Sequence, residues 1–237
     1  MDIFTRSEAL LGKSGILKLN ETMIAIFGLG GVGGQALETL VRCGIGSFIV
    51  TDFDTVKETD LNRQIIATMD DIGQLKTEVA KKRLLSINPY AKVHLFAKRI
   101  ETLEDLSYMD GFSPDYIIDA IDGTEGKISI IKYAKGKAIP VISSMGTGNR
   151  LDPARIRTGD IKETSMCPLA KKMRKRLKEE NITGLKTVFS SEEPLRHKHG
   201  FIGSVPFVPP AAGIILAAEV IRDILGIQGK DKGGRKC

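Results

Sequence analysis

The sequence predicts an α/β fold of the Rossmann-like, doubly wound kind, a mostly parallel sheet with an additional antiparallel C-terminal section. Three observations predict it. Between residues 23 and 144, short apolar runs alternate with segments of helical period. The runs show no polar alternation, as strands covered on both faces require. The first run, Met23-Ile24-Ala25-Ile26-Phe27, leads straight into the glycine loop Gly28-Leu29-Gly30-Gly31-Val32-Gly33, the junction at which such sheets bind nucleotides.

Taken in order, residues 23–27 form a continuous apolar strand. Residues 31–43 form its helix, with Ala36, Leu37, Leu40 and Val41 on one face. Residues 48–52 are the second strand. Residues 75–87 are helical, with Leu75, Val79, Leu84 and Ile87 near a 3.6 period, and Asn88-Pro89 ends the helix. Residues 93–97 and 116–120 are the third and fourth strands, 126–137 a helix, and 141–144 the fifth strand. After Gly146-Thr147-Gly148 the pattern changes. Residues 149–164 are polar, with turn signals at Asp152-Pro153 and Gly159-Asp160. Residues 168–180 form a helix with a narrow apolar stripe, Leu169, Met173 and Leu177, on an otherwise basic surface. Residues 181–200 read as a loop around a short strand at 187–189. Residues 201–208 are expected to be a strand, and 209–225 a helix entered through proline.

Net charge is +6, with an isoelectric point near 9.2. That balance suits a polyanionic partner without requiring one. The longest uncharged apolar stretch, residues 205–218, contains Pro206, Pro209 and Pro210 and is shorter than the roughly 20 residues of a spanning helix. No integral membrane segment is expected, and no secretory signal is visible. Cys43, Cys167 and Cys237 are widely spaced and odd in number. A disulfide framework and a four-cysteine zinc site are therefore not expected, and a reducing, cytoplasmic setting is.

The glycines have separate tasks. Gly28 permits the tight turn off the strand, Gly30 lets backbone approach a phosphate, and Gly33 lets the helix pack on the strand. The helix directs its N–H groups at the anion. Asp52 ends the second strand, where a carboxylate accepts hydrogen bonds from ribose hydroxyls. A strand-end acid satisfied by a local turn is the competing reading, and to this point an NAD-dependent oxidoreductase fits equally well.

Asn62-Arg63-Gln64 and Lys76 separate the two. Arg63 offers a planar charged fork for phosphate oxygens and Lys76 a point charge. Together they would neutralise a departing pyrophosphate, a leaving group that a dinucleotide lacks. Read singly, each is an ordinary surface charge. Asp119 and Asp122 stand at the end of the fourth strand. Asp122 is placed to hold Mg²⁺ against phosphates, while Asp119 is a second candidate or a residue that orders the loop. Glu125 and Lys127 are weaker candidates.

With these residues in view, the chain resembles the ubiquitin-activating-enzyme-like (ThiF/MoeB) adenylyltransferases. The resemblance is carried by residues 28–33, Asp52-Phe53-Asp54, Asn62-Arg63-Gln64, Gly73-Gln74-Leu75-Lys76 and Asp119-Ala120-Ile121-Asp122. It implies a homodimer that binds ATP with Mg²⁺ and adenylates a carboxylate. Asp52 would then hold ribose, Arg63 and Lys76 phosphates, and Asp122 magnesium. Gly28, Gly30, Gly31, Gly33, Asp54, Asn62, Gln64 and Asp119 would complete the nucleotide site. Arg6 resembles the N-terminal arginine that reaches the partner subunit's ATP, and Asp60 stands where many relatives have Asn.

Leu151-Asp152-Pro153, Cys167-Pro168-Leu169-Ala170, Val188-Phe189-Ser190 and residues 204–209 resemble one branch of that superfamily. Its members use ATP to dehydrate, by cyclisation, threonylcarbamoyladenosine beside the tRNA anticodon. Residues 1–225 would then be one adenylation domain, with a nucleotide-binding half at 20–147 and a substrate- and tRNA-facing half at 148–225. Residues 226–237 would be a disordered basic tail. The implied substrate is tRNA carrying threonylcarbamoyladenosine. The alternative is activation of the C-terminus of a ubiquitin-like sulfur carrier, and a sulfur-transfer protein is a candidate partner.

The helix bearing Lys171, Lys172, Arg174, Lys175 and Arg176 offers a basic face to tRNA phosphates, or is simply a solvated face. Cys167 reads as a capping or packing position before Pro168, against a role in sulfur transfer. His94, His197 and His199 are too scattered for a metal site.

Overall fold

The computed structural model describes residues 3–195 and 201–227. The expectations for His197, His199 and Cys237, and for the tail from residue 228 onward, lie outside the described residues. The elements run α1 (Thr5–Glu21), β1 (Met23–Phe27), α2 (Gly33–Cys43), β2 (Ser47–Thr51), α3 (Lys76–Ile87), β3 (Lys92–Phe96), β4 (Tyr116–Asp119), α4 (Thr124–Gly136), β5 (Val141–Ser144), β6 (Ile156–Asp160), α5 (Pro168–Glu179), β7 (Lys186–Ser190) and α6 (Val208–Leu225).

Among the described residues, seven strands form one sheet in the order β3-β2-β1-β4-β5-β7-β6. All neighbouring pairs are parallel except β6 with β7. Chain progression runs outward from β1 through β2 to β3 on one side. On the other it runs from β4 to β5. The split between β1 and β4 is the topological switch point, where crevices open beyond the carboxyl ends of strands.

Both faces of the sheet are covered. One core joins β1 and β2 to α2, α3 and α6 through Ile26, Leu37, Leu40, Leu84 and Leu216. The other joins the sheet to α4 and α5 through Ile128, Ile131, Met173 and Leu177. Burial on both faces explains why β1 and β2 lack alternation. Helix α6 lies close against the start of α2. A Cβ on Gly213 would stand 2.4 Å from the Val32 carbonyl oxygen, so only glycine permits that approach.

Three features differ from the sequence expectation. Residues 201–208 form no strand. Phe201 and Ile202 are exposed, Pro206 has no N–H to donate, and α6 already begins at Val208. The segment instead pairs with the loop after β5, where Gly203 N–H donates to Asn149 Oδ1 at 2.6 Å and Asn149 N–H to the Gly203 carbonyl at 2.8 Å. Residues 156–160, expected within a polar loop, are the edge strand β6. Helix α1, bent at Gly12 (φ 76°), was not marked by periodicity, because it buries little more than Ile16 and Leu19.

Candidate functional site

The glycine loop owes its shape to two close approaches. Gly28 has φ +88°, and a Cβ there would stand 2.7 Å from the Ala120 carbonyl oxygen. A Cβ on Gly33 would stand 1.9 Å from the Gly28 carbonyl oxygen. The loop after β1 is thus pressed against the loop after β4 and against its own helix. Gly30 differs, with open space beyond its Cα. The Gly34 N–H in the first turn of α2 is taken by the Gly30 carbonyl oxygen at 2.9 Å, which joins the loop to the helix and sets the positive end of its dipole at this loop.

A cleft of ≈ 200 Å³ opens there, lined by Gly28, Gly30, Asp52, Phe53, Asp54, Gln64, Lys76, Lys98 and Asp122. Asp52 is buried. Its Oδ2 accepts the Leu29 N–H at 2.6 Å and its Oδ1 the Asp54 N–H at 2.8 Å. Burial raises its carboxyl pKa, and the two N–H donors and nearby Lys76 pull the other way. The carboxylate therefore spans the glycine loop and the loop after β2.

Lys76, at the start of α3, is 5% exposed, with Nζ 3.3 Å from Asp54 Oδ2 and 3.6 Å from Asp60 Oδ2. Gln64 is buried beside it. Gln64 Nε2 donates to Asp60 Oδ1 at 2.7 Å, while Gln64 Oε1 has no hydrogen-bond partner among the described residues. An unpaired buried acceptor is costly, and a hydroxyl or amino donor of a nucleoside would satisfy it. The open face at Gly30 and this orphan acceptor fit a nucleotide.

Arg63 lines a second cleft, of ≈ 490 Å³, with Gly30, Gly31, Asp122, Thr124, Thr147, Lys172 and the apolar Ile121, Met145, Leu169, Ile202 and Pro209. Its Nη1 donates to the Thr59 carbonyl at 2.6 Å and to Asn62 Oδ1 at 2.9 Å. Asn62 in turn donates to the Ser204 carbonyl at 3.1 Å. The two clefts share Gly30, Ala120, Ile121 and Asp122. Asp122, exposed at the end of the β4 loop, is the carboxylate at that common wall. It is the candidate there for Mg²⁺, which asks for one or two carboxylates besides phosphate and water.

Not every expected residue meets a cleft. Asp119 is entirely buried below the loop, 3.1 Å from Lys127 Nζ and 2.5 Å from Ser143 Oγ. Its position suits ordering of the loop, not contact with a ligand. Arg6 is exposed on the first turn of α1 and lines neither cleft. Of the basic residues on α5, Arg174 donates to Thr164 and Arg176 to Glu125 at 2.7 Å. Lys171, Lys172 and Lys175 are exposed, and Lys172 lines the second cleft. Cys167 caps α5, its buried Sγ accepting the Ala170 N–H at 3.4 Å. His94 packs against the ring of Phe112.

Sequence reading missed two residues. Lys98 lines the first cleft, and its signal was its position just past the third strand, on the ligand side of the sheet. Arg150 is 3% exposed and donates to the carbonyls of Gly148, Met166 and Glu192. It ties together three loops, and no local pattern announced it.

A family model described as the ThiF family matches residues 4–235. The chain is 35% identical over 240 residues to the tRNA threonylcarbamoyladenosine dehydratase of Bacillus subtilis, covering 94% of each. It is also 35% identical to the enzyme of that name from Escherichia coli, over 80% of this chain and 73% of the relative. The crystal structure of E. coli tRNA N6-threonylcarbamoyladenosine dehydratase in complex with ATP superposes with a TM-score of 0.88 at 30% identity, covering 94% of this chain and 93% of that one.

Proposed function

Because the chain belongs to the ThiF family, we propose that it is an ATP-dependent enzyme that dehydrates threonylcarbamoyladenosine in tRNA by adenylating the threonyl carboxylate. One observation carries this reading: two clefts, one with nucleotide-binding features and one with apolar walls and two cations, open onto a single wall at Gly30 and residues 120–122. The nucleoside of ATP in the first and a carboxylate in the second would meet at the phosphates, which would cross that wall within reach of Lys76 on one side and Arg63 on the other.

In that reaction a carboxylate oxygen bonds to the α-phosphorus. The bond from that phosphorus to the oxygen bridging to the β-phosphate breaks, and pyrophosphate leaves with the electron pair. The carbamoyl group of the same substrate then attacks the acyl carbon, gives up a proton and displaces AMP. The oxygen lost from the substrate departs on AMP, so the net change is loss of one water. The second step needs no enzyme nucleophile, since the attacking group is tethered at high effective concentration.

Asp52 would hold the ribose, and Arg63 and Lys76 the phosphates. Asp122 would hold Mg²⁺, which would neutralise charge on the departing pyrophosphate. A homodimer is part of the proposal: α1, the helix that carries Arg6, exposes Leu10 and Leu17, apolar side chains that a second copy would cover. A cytoplasmic setting is part of the proposal, in keeping with a tRNA substrate. Among the described residues no helix is long and apolar enough to cross a membrane.

The test is incubation with ATP, Mg²⁺ and tRNA whose threonyl carboxylate carries labelled oxygen. The expected result is tRNA-dependent pyrophosphate release, loss of water from the base, and label in AMP. Label in inorganic phosphate, or no tRNA-dependent release, would overturn the reading. Release that depends instead on a protein ending in Gly-Gly would favour the sulfur-carrier alternative.

A further inference from the structure

We infer that Lys172 is the residue that takes the substrate carboxylate in the second cleft. The inference rests on the adenylation reading and deepens it. A carboxylate approaching a polyphosphate needs a cation on its own side of the reacting bond, or the two anions repel. The second cleft offers two cations, Arg63 and Lys172. Arg63 is already engaged with Thr59, Asn62 and Asp60. Lys172 has no ion-pair partner among the described residues.

None of its basic neighbours on α5 lines this cleft. Arg174 and Arg176 bond to Thr164 and Glu125. Lys175 lies 3.9 Å from Glu179, and Lys171 borders a different depression, beside Arg174 and Glu193. Pro168 at the first turn and the Cys167 cap fix where α5 begins, and so fix where Lys172 stands relative to Asp122 across the cleft. The apolar walls at Ile121, Met145, Leu169 and Ile202 suit a flat base with an aliphatic arm, and Lys172 supplies the charge that such walls lack. The ligand class is thus a base-linked amino-acid carboxylate. Lys175, outside the cleft, is left to the RNA phosphates.

The experiment compares wild type, Lys172→Met, Lys172→Arg and Lys175→Met with tRNA bearing threonylcarbamoyladenosine, following pyrophosphate release and the salt dependence of tRNA binding. A fluorescent ATP analogue serves as the fold control, since Lys172 is exposed. Lys172→Met is expected to lose about 10–100-fold in kcat, the range for one charged hydrogen bond, with the salt slope of tRNA binding and the analogue's affinity unchanged. Lys172→Arg should recover part of the rate. Lys175→Met should weaken tRNA binding and lower its salt slope by about 1. If Lys172→Met keeps kcat within about twofold and lowers the slope as Lys175→Met does, it is a phosphate contact and the inference is overturned while adenylation stands. If wild type itself shows no tRNA-dependent release, adenylation falls and this inference falls with it.

Discussion

Lys127 Nζ lies 3.1 Å from Asp119 Oδ2, and neither side chain exposes any surface. The ammonium also donates to Ser143 Oγ at 3.3 Å and to the Ser144 carbonyl at 2.7 Å. Helix α4 is thereby tied to the ends of β4 and β5, directly beneath the loop that carries Asp122. A buried pair of this kind is weak evidence for net stability, because two desolvated ions offset their own attraction. Breaking it is another matter.

Lys127→Met would leave a buried carboxylate without its counter-charge. The expected loss is about 3–5 kcal/mol in urea unfolding at neutral pH. Adding Asp119→Asn to that variant should return part of the loss, because the residual group is then neutral. Equal stability of the single and double variants would show that the two side chains do not act as a pair.

Residues whose partners are near in sequence were legible, and residues whose partners are distant were not. The run 23–27, the glycine loop and Asp52 form one local unit, so strand, turn and acid could be placed from their order. The bounds of β1 and β5 match the expectation; apart from the strand expected at 201–208, which does not form, the other anticipated helices and strands shift by one or two residues at one or both ends, as helix frays and strand edges do. Strand β6 was illegible because Ile156-Arg157-Thr158-Gly159-Asp160 has one apolar residue, and its strand state comes from pairing with β7. Arg63 and Lys76 were expected to act together on the phosphates; that they open onto different clefts with one shared wall is set by the fold and not by their spacing in the chain. Arg174 and Arg176 looked like free surface charge until Thr164 and Glu125 were brought to them by the fold.

Glu38 gives a pH prediction. It is buried, with Oε1 2.8 Å from Arg42 Nη2 and Oε2 2.9 Å from Arg83 Nε. Burial raises its carboxyl pKa, but the hydrogen bonds and charges of Arg83 and Arg42 outweigh that and hold it below the usual carboxylate value. The unfolded chain then binds a proton at higher pH than the folded one. The stabilisation is therefore present above the unfolded pKa, about 4.3, and is lost as pH falls through the folded pKa. Glu38→Gln should flatten the acid limb of the stability curve by on the order of 1 kcal/mol, since both arginines are largely solvated. Urea titrations from pH 7 to pH 3 check this, and superimposable curves for the two proteins would refute it.

Arg63 and Lys76 should separate under mutation. Arg63 is partly exposed and its partners, two of them carbonyl or amide oxygens, can rehydrate. Arg63→Ala should thus keep its melting temperature to within a few degrees while turnover falls by about 10²–10³, the range for removing one charge-stabilising donor. Lys76 is buried between Asp54 and Asp60. Lys76→Ala should lose turnover to a similar degree and also lose about 1–3 kcal/mol of stability, because buried Asp60 is left short of a donor. Calorimetry beside pyrophosphate release reads both quantities. A Lys76→Ala protein as stable as wild type would mean that the two carboxylates do not depend on the ammonium.

The glycine loop allows a final separation of folding from binding within four residues. At Gly33 an added methyl would fall 1.9 Å from the Gly28 carbonyl oxygen, a backbone atom that cannot rotate away. Gly33→Ala should therefore force α2 off β1 and cost about 3 kcal/mol or more, in the range of overpacked cores. At Gly30 the same methyl meets nothing within 4 Å, and Gly30 is not among the positive-φ residues, so Gly30→Ala should fold with wild-type stability. If phosphate occupies that space, the methyl stands where backbone must approach it, and ATP affinity should drop about tenfold or more. Isothermal titration with ATP and Mg²⁺, paired with thermal unfolding, distinguishes the two variants. Wild-type ATP affinity in Gly30→Ala would place the phosphates elsewhere than on this loop.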